Sequence, residues 1–177
     1  MIHTKAPGKW ANAWIGLGGN IGNVAQNMVQ ALRILAQHEQ VRVIAISSLY
    51  QTPPWGKTDQ PAFLNACAQL QTQLPADDLL QLCLDIEEKM QRRRTEKWGP
   101  RTLDIDILLY EGVICSVPGR LVLPHPHMDK RAFVLVPLAE INPALDIAGR
   151  SVLERAKELD DGTIQKYSEF SFEIPDT

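Results

Sequence analysis

An α+β fold, with a ferredoxin-like antiparallel sheet in three α/β/α layers, is predicted for this 177-residue chain from three observations. Strand-like and helix-like runs follow one another in the order β-α-β-β-α-β. The two helical runs each carry a single apolar stripe, so each packs on the sheet through one face. No linker, repeat or low-complexity tract divides the chain, so residues 1–177 read as one domain.

The first strand is "AWIGLG" at 13–18, which ends in glycines. "NVAQNMVQALRILAQH" is a helix, because Val24, Met28, Ala31 and Leu35 recur on one face. "VRVIAISSLY" at 41–50 is a strand rich in β-branched residues. The turn-forming run "QTPPWGKTDQP" precedes the next strand, "FLNACAQLQT" at 63–72. A helix then starts near Ala76, with Leu79, Cys83, Ile86 and Met90 as its core stripe and Asp77 and Asp78 favouring its first turn. The strand "LDIDILLY" completes the pattern. "HMDKRAFVLVPLAEI" reads as a helix broken near Pro137, and "SVLERAKEL" as a last short helix. Residues 1–11 read as a flexible leader, and the acidic tail from about Glu158 as loosely attached.

Composition excludes several function classes. With 45% hydrophobic and 22% charged residues the chain is globular rather than disordered, and a net charge of -3 supplies no basic field for nucleic acid. No apolar run approaches the roughly 18 residues of a membrane span, and no signal-like segment opens the chain, so a soluble cytoplasmic protein is expected. Cys67, Cys83 and Cys115 are widely spaced and form no Cys-x-x-Cys, as expected of buried, reduced thiols.

The chemistry is concentrated in "WGPRTLDIDILLY". On a strand, Thr102, Asp104, Asp106, Leu108 and Tyr110 share one face, and Leu103, Ile105, Ile107 and Leu109 the other. The two aspartates then stand roughly 7 Å apart at Cα, given about 3.3 Å per residue. Two such carboxylates repel unless a cation lies between them. Magnesium suits, because it takes one or two protein carboxylates and fills its other positions with water and phosphate. The run "QRRRTEKWGPR" brings Arg92, Arg93, Arg94, Lys97 and Arg101 beside the pair, and guanidinium forks match phosphate oxygens. A metal-chelated nucleotide triphosphate fits. The plainer alternative is surface pairing of these charges with each other.

Phe63 and Asn65 share a face directly after the "TPPWG" loop, and a ring beside an amide suits a planar heterocycle. Taken alone, the pair reads more simply as a core phenylalanine and a turn-capping amide. "GLGGN" lacks the third glycine of a dinucleotide fingerprint and the Gly-Lys-Ser/Thr of a P-loop, so it is a close-approach turn able to border a ligand. His125 and His127 lack the further ligands of a zinc site, which leaves a phosphate or ribose contact, or simple exposure.

Together the motifs "GLGGNIGN", "SSLYQTPPWG", "QPAFLNA", "IEEKMQRRR", "KWGPRTLDIDILLY" and "LPHPHMDKRAFVLVPLAEI", spanning about residues 13 to 143, closely resemble one family. It is 6-hydroxymethyl-7,8-dihydropterin pyrophosphokinase (HPPK), of folate biosynthesis. The resemblance implies transfer of pyrophosphate from ATP to the hydroxymethyl group of the pterin, giving the pterin diphosphate and AMP. It implies that Asp104 and Asp106 hold two Mg2+ ions and that Arg92, Arg94 and Arg101 grip the triphosphate, with His125 and Arg131 closing on it. Glu87, Trp98 and Ile107 would border the nucleotide. Phe63 and Phe133 would sandwich the pterin, with Asn65, Thr52 and the backbone of Pro53, Pro54 and Trp55 reading its edge and Gly18 lining it.

By the same resemblance the loops 52–61 and 91–100 would close over ATP. Gly19 departs from the family pattern, where serine is frequent. A monomer is expected, acting on small molecules without nucleic acid or membrane, and association with other folate-pathway enzymes stays open. A nucleotidyltransferase is the rival that also combines a glycine turn with Asp-x-Asp, although the two elements lie far apart here. An RNA-binding module would need aromatics and basic charge where "LDIDILLY" is acidic.

Overall fold

The computed structural model describes residues 8–54, 59–90, 100–117, 119–168, 170 and 172–175. In chain order the elements are β1 (Ala11–Gly19), α1 (Val24–Gln37), β2 (Val41–Ile46), β3 (Leu49–Thr52), β4 (Phe63–Thr72), α2 (Ala76–Lys89) and β5 (Asp104–Tyr110). There follow β6 (Cys115–Val117), β7 (Leu121–Leu123), a one-turn 3-10 helix (Met128–Lys130), α3 (Ala132–Ile141), β8 (Asp146–Ile147), β9 (Arg150–Ser151), α4 (Val152–Leu159) and β10 (Gln165–Ser168).

One antiparallel sheet runs in the order β10-β3-β4-β1-β5, with β2 also paired to β4. Alternation along the central strands sends their side chains to two separate cores. Ala13, Ile15 and Leu17 of β1 meet α1 (Met28, Leu32, Leu35) and α2 (Leu79, Cys83, Ile86) on one face. Trp14 of β1, Cys67 of β4 and Leu108 of β5 meet α3 (Val134, Leu135, Leu138) and α4 (Val152, Ala156) on the other. These two cores make the three α/β/α layers, and each fully buried leucine contributes about 1.5–3 kcal/mol. The three cysteines are free and buried.

Local chemistry sets the helix ends. Asn23 caps α1 by accepting the Gln26 N–H, and Ser151 with Glu154 forms a reciprocal capping box at α4. Asp77 and Asp78 do lie in the first turn of α2.

Five expectations are corrected. The strand expected over 41–50 is two strands, because Ser47 interrupts the ladder: its N–H donates to the Cys67 carbonyl and its hydroxyl accepts the Cys67 N–H, both at 2.9 Å. The expected face for Tyr110 is reversed. Ile15 pairs with Ile107 but Trp14 with Leu109, so Leu108 is an extra residue that flips the alternation beyond it. Tyr110 therefore enters the α1–α2 core, where its hydroxyl donates to the Leu74 carbonyl at 2.6 Å.

Third, α3 runs through Pro137 without a break, and the interruption falls at Arg131, whose extended backbone separates the 3-10 turn from α3. Burial of Val134, Leu135, Pro137 and Leu138 outweighs the lost N–H of the proline. Fourth, the tail is attached: Gln165 and Lys166 pair with Gln51 and Tyr50, and Phe170 and Phe172 pack against the α1–α2 core. Strand pairing there is carried by backbone, with all four β10 side chains exposed, so no apolar period announces it. Fifth, the leader does not reach Ala11, which opens β1, and Trp10 already lies 4.1 Å beneath the Arg42 guanidinium.

Candidate active site

The two aspartates of β5 face the glycines of β1. Asp104 stands opposite Gly18 and Asp106 opposite Gly16, so β1 projects no side chain beside either carboxylate. The space so left is part of a cavity of about 220 Å³ lined by both aspartates and both glycines. Gly18 is close-fitted: a Cβ there would stand 3.2 Å from Asn65 Oδ1. Gly19 is tighter still, because a Cβ would meet the Thr102 carbonyl oxygen at 2.7 Å. That contact accounts for glycine at this position: β1 approaches the Thr102 backbone too closely for a side chain.

The opposite wall comes from β4 and α3. Phe63, Asn65 and Cys67 alternate onto one face of β4 and line the cavity, while Phe133 and Val134 reach it from the first turn of α3. Asn65 Nδ2 donates to Thr52 Oγ1 at 2.8 Å across β3 and β4. This bond fixes a buried amide in a wall of the cavity that Phe63 and Phe133 also line. Burial drives the Cys67 thiol far above its ordinary pKa, so it is a neutral wall and not a nucleophile.

Cations close the acidic end. Arg101 Nη1 lies 3.2 Å from Asp104 Oδ2, and its guanidinium is 5.2 Å from the Phe63 ring centre. The Arg131 guanidinium sits 5.7 Å from the Phe133 ring centre. Its pKa is lowered by burial first, with Asp106 and Asp104 acting the other way, and it stays a cation. Burial, with Arg131 and His127 nearby, pushes His125 down to about 4, so its imidazole is neutral at physiological pH.

The cavity thus gathers Gly18, Thr52, Pro53, Phe63, Asn65, Arg101, Asp104, Asp106, His125, Arg131 and Phe133, all expected site residues. Pro54 is half-buried outside its lining. Trp55, Arg92, Arg94 and Trp98, together with Arg93 and Lys97, lie outside the described residues. Glu87 and Ile107 do not line the cavity: both are buried, 3% exposed, on the α1–α2 side of β5. Glu87 is therefore not the solvated helix charge that its place at the edge of the stripe suggests. Its Oε1 accepts the Ile105 N–H at 2.6 Å.

Sequence reasoning passed over Ala66, Cys67, Leu108 and Val134 as lining residues, whereas Gly16 lies in the "GLGGN" run read as able to border a ligand. Two of them had a signal: Cys67 follows Asn65, and Leu108 follows Asp106, at the strand period of two. Asn20 was missed as well. It is buried and bonded to both the Arg101 backbone and the loop entering β4.

The donor set at Asp104 and Asp106 fits magnesium, since two carboxylates open onto a cavity with no neighbouring side chain from β1 to crowd the water and phosphate positions. Among the described residues no group of three His, Cys, Asp or Glu is placed to hold a metal ion.

Residues 14–143 match the family described as 7,8-dihydro-6-hydroxymethylpterin-pyrophosphokinase (HPPK). The chain belongs to the HPPK family. This HPPK is 49% identical over 154 residues to the 2-amino-4-hydroxy-6-hydroxymethyldihydropteridine pyrophosphokinase of Methylorubrum extorquens, covering 87% of this chain and 97% of that one. It is 45% identical over 129 residues to the Bacillus subtilis protein of the same name, covering 73% and 77%. Its fold is similar to that of Plasmodium falciparum HPPK-DHPS solved with pteroate, with TM-score 0.66 at 16% identity over 87% of this chain and 43% of that one. Every described residue that lines the cavity falls inside the matched span. No helix among the described residues is long and apolar enough to cross a membrane.

Proposed function

We propose that this HPPK transfers pyrophosphate from ATP to the hydroxymethyl group of 6-hydroxymethyl-7,8-dihydropterin, giving the pterin diphosphate and AMP in folate biosynthesis. The observation that carries the reading is the meeting, in one cavity, of two aromatic residues, a fixed amide, and two carboxylates with arginines beside them. A cavity of about 220 Å³ suits one small planar ring system. The nucleotide then extends beyond it on the arginine side, since drug-sized ligands need about 300–1,000 Å³.

The pterin stacks between Phe63 and Phe133. Asn65 spends one amide hydrogen on Thr52, which leaves its carbonyl oxygen and second hydrogen for the edge of the heterocycle. On the family pattern the backbone of Pro53, Pro54 and Trp55 would read that edge, and Gly18 keeps the floor low. Arg101, Arg131 and His125 contact the triphosphate, joined by Arg92, Arg94 and Trp98 on the family pattern. Because β5 is an edge strand, Ile107 borders the nucleotide through backbone on the side to which Ile105 turns its N–H, and Glu87 acts by holding that edge.

Asp104 and Asp106 would hold two magnesium ions, which when bound neutralise the phosphate chain and polarise the phosphorus under attack. The chain's own residues align the pterin hydroxyl with the β-phosphorus and keep water out of the stack. No covalent nucleophile is required, and no side chain of the cavity is assigned as general base. The HPPK-DHPS proteins of Plasmodium support a neighbouring folate-pathway enzyme as a partner.

Product analysis tests the assignment. Incubation with ATP, Mg2+ and the reduced pterin alcohol should yield AMP and pterin diphosphate in equal amounts. ADP with a pterin monophosphate, or free pyrophosphate with a nucleotidylated pterin, would replace this reading by a simple kinase or a nucleotidyltransferase.

A further inference from the structure

Asn20 is 7% exposed, and its amide bonds two separate segments, the one entering β4 and the one at Arg101. On one side its Nδ2 donates to Pro61 O and to Gln60 Oε1, both at 3.1 Å. On the other its Oδ1 accepts the Arg101 N–H at 3.0 Å, while its own N–H donates to the Arg101 carbonyl at 2.9 Å. Pro61 leads two residues later into Phe63, the aromatic wall on β4. Arg101 closes the circuit, because its side chain meets both Asp104 and the Phe63 ring. One buried amide therefore ties the entry to the ring-stacking wall to the backbone of a phosphate-side arginine.

We propose that Asn20 is a positioning residue that couples occupancy of the pterin side to occupancy of the triphosphate side. The inference rests on the proposed division of the cavity into those two sides. The physical basis is shared ordering: a ligand that fixes either the 60–61 backbone or Arg101 also fixes the other through Asn20, so the second ligand meets a segment already ordered. A residue that merely stabilised the fold would change both affinities without changing their dependence on each other.

The coupling factor is the ratio of nucleotide affinity with and without saturating pterin alcohol, read by calorimetry with magnesium and a non-hydrolysable α,β-methylene ATP. By linkage the same factor describes the nucleotide's effect on the pterin. The wild-type factor should be about fivefold or more, in the usual range for coupled sites. Asn20→Ala should bring it below about twofold while both ligands still bind, in line with loss of the shared ordering. A wild-type factor of one, or an Asn20→Ala factor equal to wild type, overturns the proposal. If Asn20→Ala does not fold, Gln60→Ala decides, since it removes one of the two acceptors on a surface loop: a reduced factor supports the coupling and an unchanged one overturns it. Failure of the wild type to bind either ligand would instead overturn the assignment of the cavity itself.

Discussion

Glu87 on α2 accepts the backbone N–H of Ile105 on β5 through Oε1 at 2.6 Å, in a position only 3% exposed. Ile105 lies between the two aspartates, so the bond locks the strand segment that presents them. Glu87→Ala leaves a buried N–H without its acceptor and should cost about 1–3 kcal/mol of unfolding free energy. Glu87→Gln keeps an acceptor and should cost less. Urea titration of both variants checks the order, and a loss below about 0.5 kcal/mol in the alanine variant would show that the bond does not hold β5.

Asp106 stands opposite Gly16 on the cavity side of β5, away from the α1–α2 core. Asp106→Ala should therefore keep the fold and lose the chemistry. Transfer should fall at least about a thousandfold, roughly 4 kcal/mol in the barrier. The thermal midpoint should stay close to wild type. Activity near the wild-type level, with circular dichroism and melting unchanged, would remove the carboxylate from the mechanism.

Phe133 lies on the first turn of α3 with the Arg131 guanidinium 5.7 Å from its ring centre. Loss of the ring in Phe133→Ala removes a stacking face and should weaken pterin binding about tenfold, near 1.4 kcal/mol. ATP binding should change little, since Arg131 keeps its charge. Equal losses for the two ligands in separate titrations would contradict the division of the cavity.

His125 gives the site a pH signature. Its folded pKa of about 4 lies below the ordinary 6.5 because burial and Arg131 disfavour the imidazolium. Between those values the unfolded chain binds a proton that the folded chain refuses, so stability falls as pH drops from 6.5 toward 4 and is fully present above 6.5. His125→Gln should flatten that part of the stability profile. Denaturation midpoints at pH 7 and pH 5 measure the difference, and identical slopes in wild type and variant would mean that His125 is not held neutral.

Helix periods and strand lengths were legible because they depend on nearby residues. The stripe of Val24, Met28, Ala31 and Leu35 is buried throughout, and the strand over 63–72 has the bounds its sequence indicates. Departures came where a distant group decided the outcome. Leu108 bulges against β1 and turns Tyr110 over. The hydroxyl of Ser47 takes the Cys67 N–H, and so splits one strand into two. The site was legible where chemistry is unusual on a strand, as at Asp104 and Asp106. It was silent at Asn20, because an asparagine after glycines reads as a turn residue until its partners 40 and 81 residues away are placed beside it.

A crystal structure with magnesium, α,β-methylene ATP and the pterin alcohol is the most direct measurement. Metal ions on Asp104 and Asp106, with the β-phosphorus facing a pterin held between Phe63 and Phe133, are the expected result. Nucleotide and ions lodged elsewhere, with the β5 carboxylates and the aromatic slot both empty, would contradict the account.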